Sequence, residues 1–406
     1  MLTRDGWLLF LTRCTRLFAY GALSVVLVFY LTSLGLSTSQ TGVLLTLTLV
    51  GDTVVSLYLT TQADRIGRRR ILIVGAILMA AAGLAFASTR NFAFLVVAGT
   101  IGVISPSGNE VGPFLSIEQA ALSQVVPGHA RTAVFAWYTL VGSFATALGS
   151  LGGGTLSHLL QKTAIAPVQS YRVVVLLYAV LGVVLALQFT RLSPAAEVSV
   201  PGAGSFGIGR SWGVVLRLSG LFALDSFAGG FVVQSFAAYW FYLRFGVNPA
   251  TLGAIFFWAN VLAGISALLA SRLAARFGLV RTMVFTHLPS NILLILVPLM
   301  PSLPLATLVL LARFSISQMD VPTRQSYIMA VVGPEERSAA GGVTGVARTI
   351  GAALAPVFAG FLYARPSLMS MPFFIAGTLK IIYDLLLYRG FAAAQPPHEV
   401  SQQKSM

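Results

Sequence analysis

The 406-residue chain is poor in charge. Asp, Glu, Lys and Arg together make up 9% of it, against about a quarter in ordinary soluble domains. With 56% hydrophobic residues and a mean hydropathy of +0.85, this shortage excludes a water-soluble globular protein, which would expose too much apolar surface to stay dispersed. Cysteine is nearly absent, and Cys14, standing alone, excludes an intramolecular disulfide framework. The four histidines, His129, His158, His287 and His398, are scattered near loops, span ends or the tail without metal-ligand spacing. No Ser/His/Asp arrangement and no nucleotide-binding signature is legible. The sequence therefore argues against an enzyme, against ATP as the energy source, and for no metal and no cofactor.

Acidic residues are scarcer than basic ones, 12 against 26, for a formal net charge of +14. The basic residues sit mainly in short loops between apolar runs, so membrane topology explains them better than a nucleic-acid partner does. A spanning helix needs about 20 apolar residues. The runs near residues 7–32, 40–61, 71–89, 92–125, 132–160, 171–191, 213–243, 250–271, 281–300, 303–331, 338–364 and 371–390 meet that need. All are expected to be helices, because lipid offers the backbone no hydrogen bonds and the runs are too long for barrel strands. The fold class is thus an all-α membrane protein with twelve transmembrane helices.

Ala63-Asp64-Arg65-Ile66-Gly67-Arg68-Arg69-Arg70 carries four arginines within six residues, and such loops are retained on the cytoplasmic side. With it go Arg4, Arg131, Arg191, Arg272 to Arg281, Arg337, Arg389 and Lys404, whereas the opposite loops carry mainly Arg90, Lys162, Arg244 and Arg365. Both termini are expected in the cytoplasm, with the chain an integral multi-pass protein of the plasma (inner) membrane and a monomer in the lipid bilayer. Residues 192–212, rich in Pro, Gly and Ser, form a linker between bundles at 1–191 and 213–391, and 392–406 a disordered tail.

The chain also repeats itself. Arg65, Gly67 and Arg70 recur in register as Arg276, Gly278 and Arg281; Arg131-Thr132 recurs as Arg337-Ser338; Leu34-Gly35-Leu36-Ser37 is matched by Phe245-Gly246-Val247-Asn248. Repeated six-helix halves are a signature of secondary transporters, whose substrate site lies near the midplane between the repeats. On these motifs the chain resembles the major facilitator superfamily along nearly its whole length. The resemblance implies two pseudo-symmetric six-helix bundles, alternating access and a cavity lined mainly by the first, fourth, seventh and tenth helices. Of the family's loop between helices two and three this chain keeps Ala63, Asp64, Arg65, Gly67, Arg68, Arg69 and Arg70, with Thr60 for the usual Gly and Gln62 for the Leu. The resemblance also supports a cytoplasmic latch in which Asp64 accepts from the free N–H groups opening helix eleven at Ser338. The family's antiporter signature in helix five is only partly kept: Gly149-Ser150-Leu151-Gly152-Gly153 has Ser150 in place of proline.

Ionisable residues inside spans cost about 2.5–3.5 kcal/mol each on insertion scales and need a partner or water. Asp52, Glu110 and Asp225 are expected nearest the midplane, and Arg16, Glu118, Arg324 and Arg348 in the cytoplasmic half. Ser105 to Pro113 contains two prolines and two glycines inside one span, so a broken helix is expected there, with Glu110 and Asn109 the leading substrate or proton-coupling residues. The alternative is a private pairing of Glu110 with an arginine. By internal alignment Glu118 faces Arg324 across the pseudo-twofold as a gate, unless Arg324 is neutralised locally by Asp320 at i,i+4. Asp52 either carries a proton or neutralises Arg13 or Arg16, Asp225 has the same ambiguity with Arg348, and Lys380 is expected to pair with Asp384. The function expected is proton-coupled export of a small organic or amphipathic molecule. Alternatives are an organic-anion or metabolite carrier working by symport or facilitated diffusion, and a non-transporting receptor or scaffold.

Overall fold

The computed structural model describes residues 2–126, 131–197, 209, 211–333 and 336–391, the side chains at 64, 131–133 and 338 excepted. Asp64, Arg131 and Ser338 as latch or gate side chains, most of the linker and the 392–406 tail therefore lie outside the described residues.

Among the described residues the chain forms α-helices joined by short loops. They are α1 (Arg4–Ser33), α2 (Thr38–Ile66), α3 (Arg68–Ser88), α4 (Phe92–Ile101), α5 (Phe114–Val125), α6 (Arg131–Lys162), α7 (Pro167–Phe189), α8 (Trp212–Gly230), α9 (Gln234–Phe245), α10 (Pro249–Phe277), α11 (Leu279–Leu296), α12 (Leu303–Phe314), α13 (Asp320–Val331), α14 (Arg337–Tyr363) and α15 (Met371–Phe391). Ten stretches are long and apolar enough to cross a membrane, with α8 and α9 together making one of them. The fourth and tenth expected spans complete the twelve, each as a pair of short helices: α4 with α5, and α12 with α13. The break in span four is the expected one. The break at Ser315–Met319 in span ten is not written in glycine and proline, and it divides a run that the apolar pattern alone predicts to be continuous.

Local chemistry sets the helix ends. Thr3 caps α1 by accepting from the Gly6 N–H at 3.1 Å, and Ser37 with Gln40 forms a capping box on α2. The duplicated loops carry duplicated backbone. Gly67 and Gly278 have φ of 108° and 85°, and Gly35 and Gly246 have 98° and 64°, values that a Cβ would disfavour.

Contacts divide the chain into two compact units. The first holds Met1–Gly202, Val233–Val261 and Pro356–Met369, and the second holds Ala203–Val232, Leu262–Ala355 and Ser370–Met406.

In the first unit α1 packs against α6 at backbone distance. A Cβ at Gly21 would stand 2.1 Å from the Thr146 carbonyl oxygen, and one at Gly149 would stand 2.0 Å from that of Phe18. Small residues are what let helices approach this closely in lipid. The second unit uses the same device between α8 and α14, where a Cβ at Gly351 would lie 2.3 Å from the Ala223 carbonyl. Its core is Val215, Leu218, Phe222, Met283, Tyr327 and Leu387. Trp137 and Trp258 of the first unit and Phe285 of the second are exposed, as a lipid-facing surface allows. Gly21→Ala is expected to lower stability by roughly 1–3 kcal/mol through overpacking, read as a lower thermal midpoint of the purified protein. Gly213→Ala, whose added Cβ meets nothing within 4 Å, should leave that midpoint unchanged.

Candidate functional site

The break in span four frees backbone groups that lipid cannot satisfy, and side chains from neighbouring helices take them up. Asp52 Oδ1, on α2, accepts from the Gly112 N–H at 2.7 Å and from Ser56 Oγ at 3.2 Å. Tyr20 donates to the Val111 carbonyl at 3.2 Å, Tyr178 to that of Val103 at 2.5 Å, and Ser105 to that of Asn109 at 2.7 Å. Gly108 and Gly112, with φ of 71° and 79°, make the turns. Asp52 is therefore a backbone acceptor and pairs with neither Arg13 nor Arg16. This corrects the pairing reading: the freed Gly112 N–H lies beside Asp52, and both arginines are held by other carboxylates.

Those carboxylates are Glu110 and Glu118. Glu110, 20% exposed, takes Arg13 at 2.5 Å and Arg16 at 3.1 Å. Glu118, fully buried, accepts from Arg16 Nη1 at 2.8 Å and Nη2 at 2.7 Å, from Thr12 Oγ1 at 2.9 Å and from Tyr138 at 2.5 Å. The two arginine planes are backed by rings, Arg16 over Phe114 at 4.6 Å and Arg13 over Tyr138 at 4.3 Å. Two cations thus meet two anions, with every acceptor oxygen of Glu118 engaged. Asn109 lies at the exposed edge of the break.

The second unit builds its own cluster around Asp225 of α8. Lys380 Nζ, from α15, donates to Oδ1 at 2.5 Å, and Arg324 Nη1, from α13, donates to Oδ2 at 3.2 Å. Arg324 also meets Asp320 at 3.1 Å across one helical turn. His287 Nδ1 lies 2.8 Å from Asp384 Oδ1, and Asn291 donates to Asp384 Oδ2 at 2.8 Å.

Two pairings and one placement differ from the sequence expectation. Asp225 takes Lys380 and Arg324, with Arg348 at electrostatic distance only; Lys380 leaves its helix neighbour Asp384 for Asp225; His287, read as peripheral, is 4% exposed in mid-helix. Asp384 and Lys380 are both buried, but the two oxygens of Asp384 are taken by His287 and Asn291, and the lysine is neutralised by Asp225 on the facing helix. Glu118 and Arg324 each find their partners within their own unit.

A third, uncharged set in the first unit joins the break of span seven to that of span four. Gln234 at the start of α9 donates to Ser24 at 2.8 Å and Ser150 at 3.0 Å and accepts from Asn260 at 3.1 Å, while the Ser235 N–H donates to the Pro106 carbonyl at 3.1 Å. Ser150, where the family's antiporter signature has proline, is one of these acceptors. No sequence signal marked Gln234 or Asn260; both are ordinary polar residues until the fold gathers them.

In the signature loop, Glu197 bonds the N–H groups of Arg68 and Arg69 at 2.7 and 3.0 Å and so closes the start of α3, with Arg65 and Arg70 exposed beside it. Arg337, at the start of α14, donates from Nε to the Met329 carbonyl at 2.9 Å.

Spanning helices in duplicated halves, with self-neutralised charge clusters beside broken central spans, define a membrane transporter rather than an enzyme. The chain belongs to the Major Facilitator Superfamily, whose family model matches residues 9–244 and 218–405. It is similar to the uncharacterized membrane protein YJR124C of Saccharomyces cerevisiae, 32% identical over 419 residues and covering 95% of this chain and 93% of that one. A more limited similarity, 27% over 138 residues and 34% of each chain, is to the quinolone resistance protein NorA of Staphylococcus aureus. The solved structure of a D-xylose–proton symporter shares the fold, with TM-score 0.74, 15% identity and coverage of 94% and 97%.

Asp52→Leu is expected to cost about 1–3 kcal/mol by orphaning the buried Gly112 N–H. Asp52→Asn, which keeps an acceptor, should cost clearly less when both are compared by thermal unfolding.

Proposed function

We propose that this transporter is secondary active and exports a small organic or amphipathic molecule in exchange for protons, with residues 1–191 and 213–391 as the alternating bundles. The observation that carries this reading is Glu110, the most exposed carboxylate of the first-unit cluster, held at the broken span by Arg13 and Arg16. Protonating it removes the negative charge that holds both arginines, so a proton and a substrate group compete for the same cations. Asn109 beside it supplies an uncharged hydrogen-bonding group, and Asp225, held by Lys380 and Arg324, is the corresponding coupling carboxylate of the second unit. The partial similarity to NorA supports export, and the fold shared with a proton symporter supports the coupling ion. In this reading the arginine-rich loops and both termini face the cytoplasm, and Asp64 latches that side.

A second reading, an organic-anion carrier, is favoured by one observation. Arg348 of α14 has no carboxylate in salt-bridge contact among the described residues, and its Nε is buried without a hydrogen-bond partner. Such a guanidinium is available to a carboxylate or phosphate on a substrate.

Proteoliposomes loaded in turn with ethidium, norfloxacin, p-aminohippurate, D-xylose or uridine, with and without an imposed pH gradient, separate the two. Gradient-driven movement of ethidium or norfloxacin supports the exporter, whereas movement of p-aminohippurate alone supports the anion carrier. Glu110→Gln should weaken gradient-driven accumulation roughly ten- to hundredfold, the equivalent of about 1.5–3 kcal/mol for a charge-assisted bond. Unchanged proton coupling in that variant would remove Glu110 from the mechanism.

A further inference from the structure

Among the described residues of the second cluster, His287 is the buried group held between two carboxylates, with the Asn291 amide nitrogen also 3.1 Å from its Nδ1. On α15 its Nδ1 meets Asp384 Oδ1 at 2.8 Å, with the Tyr383 ring edge-on at 5.9 Å between centroids. From α8, Asp225 Oδ1 stands 3.8 Å from its Nε2. On its own helix Asn291 fixes the other oxygen of Asp384 at 2.8 Å. The cations approach Asp225 instead: Lys380 binds Oδ1 and Arg324, itself paired with Asp320, binds Oδ2, while Arg313 of α12 and Arg348 of α14 lie within electrostatic reach of Asp225 and Asp320. An imidazole between two carboxylates, with one nitrogen bonded and the other just beyond bonding distance, is arranged to accept a proton.

We infer that His287 is the proton-binding site of the second unit, with Asp384 as its positioning partner and Asp225 as the group through which its charge is felt. The inference rests on the proton-coupled reading above and assigns the proton a place there. In the tautomer whose Nδ1–H donates to an ionised Asp384, the lone pair is left on Nε2. Uptake of one proton from hydronium at Nε2 forms the N–H bond of the imidazolium, breaks one O–H bond, releases a water molecule and adds one positive charge to the protein.

The imidazolium then competes with the Lys380 ammonium for a single oxygen, Asp225 Oδ1. Loading therefore changes which helix Asp225 is tied to. Unloaded, the carboxylate holds α8 to α15 through Lys380; loaded, it is drawn toward α11, with Arg324 keeping Oδ2. Residue types on three helices that sequence spacing does not relate thus act on the part of span seven that carries Asp225.

The test needs no substrate in its first part. Purified full-length protein in lipid nanodiscs, titrated from about pH 9 to about pH 5, should take up about one proton more per chain than His287→Gln. Equal uptake, whether because His287 stays neutral or stays charged throughout, overturns the site. Should His287→Gln fail to fold, imidazole ¹⁵N NMR of the wild type decides: a histidine protonated at Nδ1 that gains its second proton within that range supports the assignment, and the lack of one overturns it. Asp384→Asn should move that titration. The second part uses the panel compound that wild-type proteoliposomes accumulate. Coupled proton flow in wild type that is lost in His287→Gln supports the inference. The wild-type proton count kept in His287→Gln removes this site alone, and accumulation without proton movement in wild type removes the proton-coupled reading and the site with it.

Discussion

A charge carried into lipid has to be neutralised where it sits, and much of this structure follows from that requirement. The pairing of Arg16 with Glu118 shows it most plainly, since both side chains are fully buried and each satisfies the other through two hydrogen bonds. Desolvating either ion alone costs several kcal/mol, so neither residue is tolerable without its partner. Thr12, Tyr138 and the ring of Phe114 complete the enclosure. Helix α1 is thereby tied to the broken span and to α6, the helix it meets at the Gly21 and Gly149 crossings.

The second unit solves the same problem with different residues. Asp225 stands between Lys380 and Arg324, and Asp384 between His287 and Asn291. In both units the charges gather beside a span divided into two short helices, α4 with α5 and α12 with α13. A broken span supplies polar backbone at depth, and polar backbone at depth needs side chains such as Asp52 and Tyr178 to answer it. Breaks and charges therefore occur together for a physical reason. The uncharged set at Gln234 extends the pattern, because span seven is also interrupted where it meets Pro106.

Much of this was legible in the sequence. Apolar runs placed the spans, and the repeated Gly67 and Gly278 marked loops whose backbone proved to be of the same left-handed kind. The prolines and glycines from Ser105 to Pro113 announced the first break. Partner choice was not legible. Lys380 looked bound to Asp384 because one helical turn separates them, whereas the facing carboxylate of Asp225 is fixed by packing between α8 and α15. His287 likewise looked peripheral because its neighbours Asp384 and Asp225 lie on other helices. The break after Phe314 went unread because a serine-rich stretch in an apolar run resembles continuous helix until the chain is folded.

These buried ions stand only as one another's compensation. A double-mutant cycle on Asp225→Asn and Lys380→Met, read by reversible unfolding of the purified protein, measures that dependence. The single variants are expected to lose about 3–5 kcal/mol each, and the double variant far less than their sum, with a coupling of at least about 2 kcal/mol. Additive losses would mean that the two charges stand independently of each other.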